Sequence, residues 1–201
     1  MKKKVLVMLL SALVVLSIGQ AAFAGSKAGL TAGYVYVDEF KINGFGFEVF
    51  GEYQFSKLFS LGGDVSMAFL DGLIEGNASL MGKFNVYSND LFNVGALLNV
   101  STKYYVYSAL GFNELLVGPG IYGEVNLIDK LTISAAAKFT LLVIELYGSN
   151  DASFVFRPTS IQLGVSYGIT DNIAIGVKGI YERAYGDLNV FSVGVTAEYK
   201  F

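Results

Sequence analysis

The chain has 201 residues, of which 53% are hydrophobic, and it carries 14 Lys and Arg against 17 Asp and Glu, with no Cys and no His. This composition excludes disulfides and thiol chemistry, and the acidic balance argues against nucleic acid as a partner. The length suits a single domain.

The first 24 residues predict a cleaved secretory signal peptide. Lys2 to Lys4 form its charged start, Val5 to Ile18 its apolar stretch, and Ala22 to Ala24 a small-residue cleavage site. An uncleaved membrane anchor is the alternative, but the apolar run is short for a spanning helix. We therefore expect a signal peptide over 1–24 and one domain over 25–201. That domain has 201 − 24 = 177 residues and a net charge of 11 − 17 = −6.

The sequence after residue 24 alternates between apolar and polar residues, which is typical of β-strands with one face of each kind. Short polar turns at 56–58, 88–91, 128–130 and 170–172 separate alternating segments, with longer connections at 38–44, 70–77, 102–114, 142–158 and 183–189. The pattern predicts ten strands: Leu30–Val37, Gly44–Phe55, Phe59–Phe69, Ala78–Tyr87, Phe92–Ser101, Leu116–Leu127, Leu131–Leu141, Thr159–Ile169, Ile173–Glu182 and Val190–Phe201. Eight strands remain the alternative, if Leu30–Val37 and one other weak segment lie outside the sheet.

The mean hydropathy is high, at +0.52, although no stretch after residue 24 has the ~18 consecutive apolar residues of a membrane helix. A closed barrel is the other structure that satisfies its backbone hydrogen bonds within lipid. The predicted fold is therefore all-β, a transmembrane antiparallel up-and-down β-barrel. Pro119 fits this pattern least well, because proline is normally kept out of a central strand, and we expect a bulge there. The Gly118–Gly123 match to a dinucleotide motif lacks the helix such a site needs, and no cofactor or metal site is predicted.

The alternation gives each predicted strand an apolar and a polar face. Nearly all strand charges lie on the polar face, at Glu48, Glu52, Asp64, Lys83, Glu124, Lys138, Lys178, Glu182 and Glu198, with the bulky residues Phe50, Met81, Tyr87, Leu97, Tyr122 and Ile180 on the same side. Aromatic residues cluster at both ends of the strands, and only 15% of the chain is charged. These features favour an apolar exterior in lipid with two aromatic belts, and a polar lumen.

The last ten residues alternate without interruption and end on Tyr199 and Phe201. This ending resembles the C-terminal signal of small bacterial outer-membrane β-barrel proteins. The resemblance implies a location in the bacterial outer membrane, contact with outer-membrane lipid, and recognition of the C-terminal strand by the barrel assembly machinery. Function does not transfer from such a fold, and the extracellular partner stays unknown.

The absence of His bears on catalysis. Outer-membrane barrels that are enzymes, such as the omptin proteases and the outer-membrane phospholipase, rely on His, which supplies a base near neutral pH. We therefore expect that the chain is not an enzyme, and that it is too short for the tall extracellular walls of the omptins.

Three functional hypotheses remain. The mixed-charge, bulky lumen favours a barrel largely filled by side chains, which acts through its surface loops as a structural or interaction protein. Small polar lumen positions such as Ser66 and Ser166 favour a narrow pore for ions or small solutes. A weaker alternative is a loop-mediated adhesin, based on aromatic-rich loops that contain Tyr104, Tyr105, Tyr107, Phe112, Tyr147, Phe154 and Phe156.

Overall fold

The computed structural model describes residues 26–107, 110–128, 130–145, 152–183 and 188–201. Ten strands fold into one closed barrel: β1 (Lys27–Val37), β2 (Ile42–Gln54), β3 (Phe59–Leu70), β4 (Leu73–Ser88), β5 (Phe92–Tyr107), β6 (Leu110–Ile128), β7 (Leu131–Glu145), β8 (Ala152–Gly168), β9 (Ile173–Arg183) and β10 (Asn189–Lys200). None of the described residues lies in a helix with the length and hydropathy of a membrane span. The predicted signal peptide lies outside the described residues.

Each strand pairs antiparallel with its neighbour in sequence, and β1 pairs with β10 to close the ring. Thr31 opposes Thr196 across this closing seam, and their hydroxyls are 3.1 Å apart inside the barrel. The segment at 30–37 is therefore a full member of the sheet. The prediction of ten strands is confirmed, and the eight-strand alternative is wrong.

Three of the predicted long connections are largely strand. Leu70 pairs directly with Leu73, so the connection predicted over 70–77 is a two-residue turn in which Gly72 has a φ of 75°, a conformation that glycine adopts freely. The connections predicted at 102–114 and 142–158 likewise continue β5 to β8, except where they leave the described residues. As a result, β4 to β8 have 15 to 19 residues, whereas β1 has 11. One side of the wall is therefore taller than the sequence pattern predicts.

The apolar face points outward, as predicted. Ile121, Leu163 and Val195 expose about 60% of their surface on the outside, whereas the predicted polar face surrounds the interior. An apolar band around a polar interior is the pattern of a transmembrane barrel.

The described strands contain five register shifts, and two of them bear on the sequence-based predictions. The register between β6 and β7 shifts between Val117 and Gly120, so the irregularity expected at Pro119 is present, with the extra residue on β7 opposite it. A second shift in β4, between Asn85 and Tyr87, turns Tyr87 to the outside, where it is 58% exposed. The prediction that Tyr87 points inward is wrong, because the extra residue of a bulge reverses the faces beyond it.

Candidate functional site

The structure places all nine predicted lumen charges around one central cavity of about 310 Å³. A second cavity, of about 410 Å³, lies at the end of the barrel that carries the four short turns, which we call the periplasmic vestibule. In outer-membrane barrels the short turns are periplasmic. Eight residues line both cavities. Two are Ser134 and Ser166, and the other six, which we call the charged layer, are Lys27, Glu52, Lys83, Tyr122, Glu124 and Glu198.

The charged layer is held by ion pairs. The Lys83 ammonium lies 2.6 Å from Glu52, which also accepts a hydrogen bond of 2.6 Å from the Ser60 hydroxyl. The same ammonium lies 5.3 Å from the ring centroid of Tyr122, a cation–π distance. These contacts fix Lys83 between an acid and an aromatic ring, where it occupies the space between the two cavities.

Lys27 completes the charged layer. Its ammonium lies 3.6 Å from Glu124, 3.8 Å from Glu198 and 4.0 Å from Glu52. Sequence reasoning missed Lys27, because the pattern predicts a first strand that begins at Leu30. Only the longer register of β1 against β10, in which Lys27 opposes Lys200, reveals its position.

Further charged side chains are paired or buried inside the barrel. Lys178 contacts Glu48 and lies 5.4 Å from the ring centroid of Phe50. Lys103, which the sequence pattern places in a loop, is 2% exposed and contacts Glu182. Glu75 and Glu114, also predicted outside the strands, are 8% and 3% exposed. The continued alternation of β4, β5 and β6 is the signal that would have placed them inside.

An apolar cluster lies at the extracellular end of the interior. Side chains from β1 to β5 and β10, with Leu188 just before β10, form one cluster, which we call the apolar plug: Val35, Val37, Ile42, Ala68, Leu70, Leu73, Tyr105, Leu188 and Val190. Val37 is 1% exposed at its centre. Leu116 of β6 and Val143 of β7 are also buried. The apolar plug is bordered by acids, since Glu75 opposes Ala68 and Tyr105, and Glu182 opposes Val190.

Two asparagines hold the periplasmic turns in place by the same arrangement. The backbone N–H of Asn85 donates to Leu58 and its side-chain amide donates to the Lys57 carbonyl, at 2.8 and 2.7 Å. Asn126 repeats this with the carbonyls of Leu91 and Asp90, at 2.8 and 3.0 Å. Each turn is thereby bonded to a strand beyond its own hairpin, so the rim of the vestibule is a connected structure.

The predicted assembly signal lies on this rim. Tyr199 is 45% exposed and meets the Phe201 ring edge to face at 5.0 Å. Tyr53 and Phe55 form a similar pair at 4.5 Å at the end of β2. The aromatic pair is therefore a repeated feature of the rim. Recognition of the C-terminal strand by the assembly machinery stays a prediction.

At the extracellular end, the turn after β1 is fastened to the start of β10. Glu39 accepts a hydrogen bond of 2.8 Å from the Asn189 backbone N–H and a second one from its side-chain amide, while Tyr181 donates to Asn189 at 2.6 Å. The backbone hydrogen bond from Asn189 lowers the pKa of Glu39 below its ordinary value. Because the charged form is favoured in the folded state, this contact is present above the ordinary Glu pKa and is lost as pH falls through the lowered one.

We expect the Asn189 amide resonance to titrate with a midpoint below the ordinary Glu pKa of about 4.3. Two-dimensional NMR of the refolded protein between neutral pH and the acid limit measures it. Glu39→Gln removes the titrating group and should abolish the transition. A midpoint at or above the ordinary value would contradict the assigned contact.

Comparisons with known proteins agree on the architecture. The outer membrane protease OmpT from Escherichia coli is similar at a TM-score of 0.59 and 10% identity, over 91% of this chain and all of that one. Neisserial surface protein A is similar at a TM-score of 0.48 and 10% identity, over 89% of this chain and 98% of that one. The chain has the fold of the bacterial outer-membrane β-barrel proteins. The predicted location in the bacterial outer membrane is confirmed by this fold and by the apolar outer band.

The likeness to known proteins does not extend from the fold to an activity. No protein-family model matches the chain, and no curated protein matches it significantly. Outer membrane phospholipase A from Escherichia coli is similar at a TM-score of 0.43 and 10% identity, over 86% of this chain and 92% of that one. The prediction that the chain is not an enzyme is contradicted, because OmpT is a protease by name and has this architecture. At 10% identity the likeness shows the fold alone, and it assigns no activity to this chain.

Proposed function

We propose that this protein is a closed outer-membrane barrel that acts through its extracellular surface as a structural or interaction protein. The observation that supports this proposal is the apolar plug. Val37 and Tyr105 are 1% and 6% exposed, whereas the lining of an aqueous channel is in contact with water. An apolar constriction without water is a barrier to ions, because an ion there loses its hydration without gaining partners.

The outer surface supports an interaction role. Phe40, in the turn after β1, is 59% exposed, and Phe156 and Phe154 of β8 are 74% and 88% exposed. Phe156 stacks on Phe139 at 5.6 Å, so it continues the aromatic belt of the wall. Phe154 lies further along the strand, away from the belt. Exposed aromatic side chains outside the lipid band are enriched at protein interfaces.

The structure changes the set of aromatic residues on which the adhesin hypothesis can rest. Tyr105 belongs to the apolar plug, so its ring is not available for recognition at the surface. Tyr104 is 50% exposed and, with Phe154 and Phe156, stays compatible with a recognition surface. The side chains of Tyr107, Phe112 and Tyr147 lie outside what the structure describes.

Release of a small trapped ion from liposomes tests closure of the barrel. We expect refolded wild-type protein to leave vesicle permeability at the level of protein-free vesicles. Fast release that scales with the amount of inserted protein would contradict the proposal. Heat-modifiable migration of the reconstituted protein on gels serves as the control for folding.

A narrow pore is the second candidate, supported by a separate observation. Two cavities of about 310 and 410 Å³, both lined by charged side chains, follow one another along the lumen and meet at the charged layer. In this case the charges that line the central cavity, such as Glu48 and Lys138, would set ion selectivity. Unchanged selectivity after neutralising either residue in a conducting protein would count against the pore.

A further inference from the structure

The charges around the central cavity are not all paired. Four lysines of the lining each have a carboxylate within 4.0 Å: Lys27, Lys83, Lys103 and Lys178. Among the described residues, Asp64 and Lys138 line the same cavity without such an ion pair. Glu75, nearer the apolar plug, is buried in the field of Lys103. Charged groups inside a barrel are costly unless they are paired or hydrated, so Asp64 and Lys138 have unused binding capacity.

Asp64 has neutral partners only. Its carboxylate accepts hydrogen bonds from the Asn77 amide, at 3.1 Å, and from the Ser79 hydroxyl. These bonds fix the direction of the carboxylate and leave its negative charge without a cation. Asn99 of β5 also lines the cavity; it is 8% exposed, and its side-chain oxygen is buried without a hydrogen-bond partner.

Lys138 approaches the cavity from a facing wall. Asp64 is on β3 and Lys138 on β7, four strands apart in a ring of ten. The acids that act electrostatically on Lys138 are Asp64 and Glu48, and Glu48 already contacts Lys178. An anion and a cation therefore face one another across a cavity without touching.

We infer that the central cavity is a binding site for a small zwitterion, with the ligand's carboxylate on Lys138 and its ammonium on Asp64. A volume of about 310 Å³ is at the small end of known ligand pockets, which fits a solute of amino-acid size. A ligand with both charges satisfies both walls at once, whereas one with a single charge leaves the opposite wall unpaired. This inference goes beyond the proposed function and does not depend on whether the barrel conducts.

Calorimetric titration of the refolded protein with glycine, β-alanine and γ-aminobutyrate tests the site, with butyrate and butylamine as single-charge controls. We expect one of the zwitterions to bind at least about tenfold more tightly than either control, equivalent to about 1.4 kcal/mol. Two results would overturn the inference. One is that butylamine binds as tightly as the best zwitterion. The other is that no zwitterion binds at about 10 mM, which means a binding free energy of less than roughly 3 kcal/mol.

Variants locate the site. Lys138→Gln and Asp64→Asn should each weaken zwitterion binding at least about tenfold, and Glu39→Gln, at the extracellular turn, should leave it unchanged. Asp64→Glu keeps the charge and extends the side chain by one methylene, so it should shift the preference towards a shorter zwitterion. Binding that is equal in Lys138→Gln and wild type, both with heat-modifiable migration, would overturn the assignment.

Discussion

Replacing Val37 with aspartate is expected to open the barrel to ions. Val37 is 1% exposed and packs in the apolar plug between Ile42 and Val190, its partners in the neighbouring strands. A carboxylate cannot stay dry there without several kcal/mol of unfavourable desolvation, so water enters or the plug separates. Planar-bilayer recordings should change from a flat baseline to stable single-channel steps.

The conservative change Val37→Ile is the matched control, since it keeps the plug apolar and should stay silent. Both variants must first show heat-modifiable migration, which reports a folded barrel. A folded Val37→Asp protein without single-channel steps would mean that the apolar plug is not the barrier to ions, and it would indicate the charged layer as the barrier.

Replacing Lys83 with methionine is expected to lower the free energy of unfolding by about 2 kcal/mol. Lys83 is the nearest cation to Glu52, at 2.6 Å, and without it Glu52 keeps only Lys27 at 4.0 Å and the Ser60 hydroxyl. The side chains of Lys83 and Glu52 are 16% and 17% exposed, so the loss of stability is smaller than for a fully buried pair. Urea unfolding in lipid vesicles, followed by gel mobility, measures it.

The double variant Glu52→Gln and Lys83→Met should recover part of this loss, because it leaves no carboxylate without its partner. Lys57→Met, in an exposed turn, should change stability by less than about 0.5 kcal/mol. Equal stability of Lys83→Met and wild type would show that the pair is hydrated and does not support the charged layer.

The sequence predicts most of this architecture for a simple physical reason. Successive side chains of a strand point to opposite faces of the sheet. Because one face of this barrel meets lipid and the other carries the charges, the two faces differ strongly in polarity. All ten strands and all nine predicted lumen charges are in the expected part of the barrel, from Glu48 in β2 to Glu198 in β10. The prediction is weakest where this contrast is small.

The errors in the sequence-based predictions have identifiable structural causes. The alternation of β5 continues past Ser101 through Lys103 and Tyr105, but a lysine and a run of tyrosines suggest a loop in the sequence alone. The structure buries both residues. The predicted face of Tyr87 is wrong, because a bulge adds a residue that no local pattern marks. The contact of Lys27 with Glu198 depends on the closing seam, which joins residues at opposite ends of the chain.

The pairing within the lumen is also beyond sequence reasoning. Lys178 and Glu48 are 130 positions apart and contact each other inside the barrel, whereas Asp64 and Lys138 make no such contact. Which charges pair depends on the stagger of ten strands, and a shift of two residues in one register would change the partners.

Single-channel recording of the wild-type protein in planar bilayers tests the central claim, that this barrel is closed, most directly. With Val37→Asp run alongside as the open reference, we expect wild-type protein to insert as heat-modifiable barrels and to give no conductance steps. Stable ohmic steps from wild-type protein would contradict the claim and would favour the narrow pore.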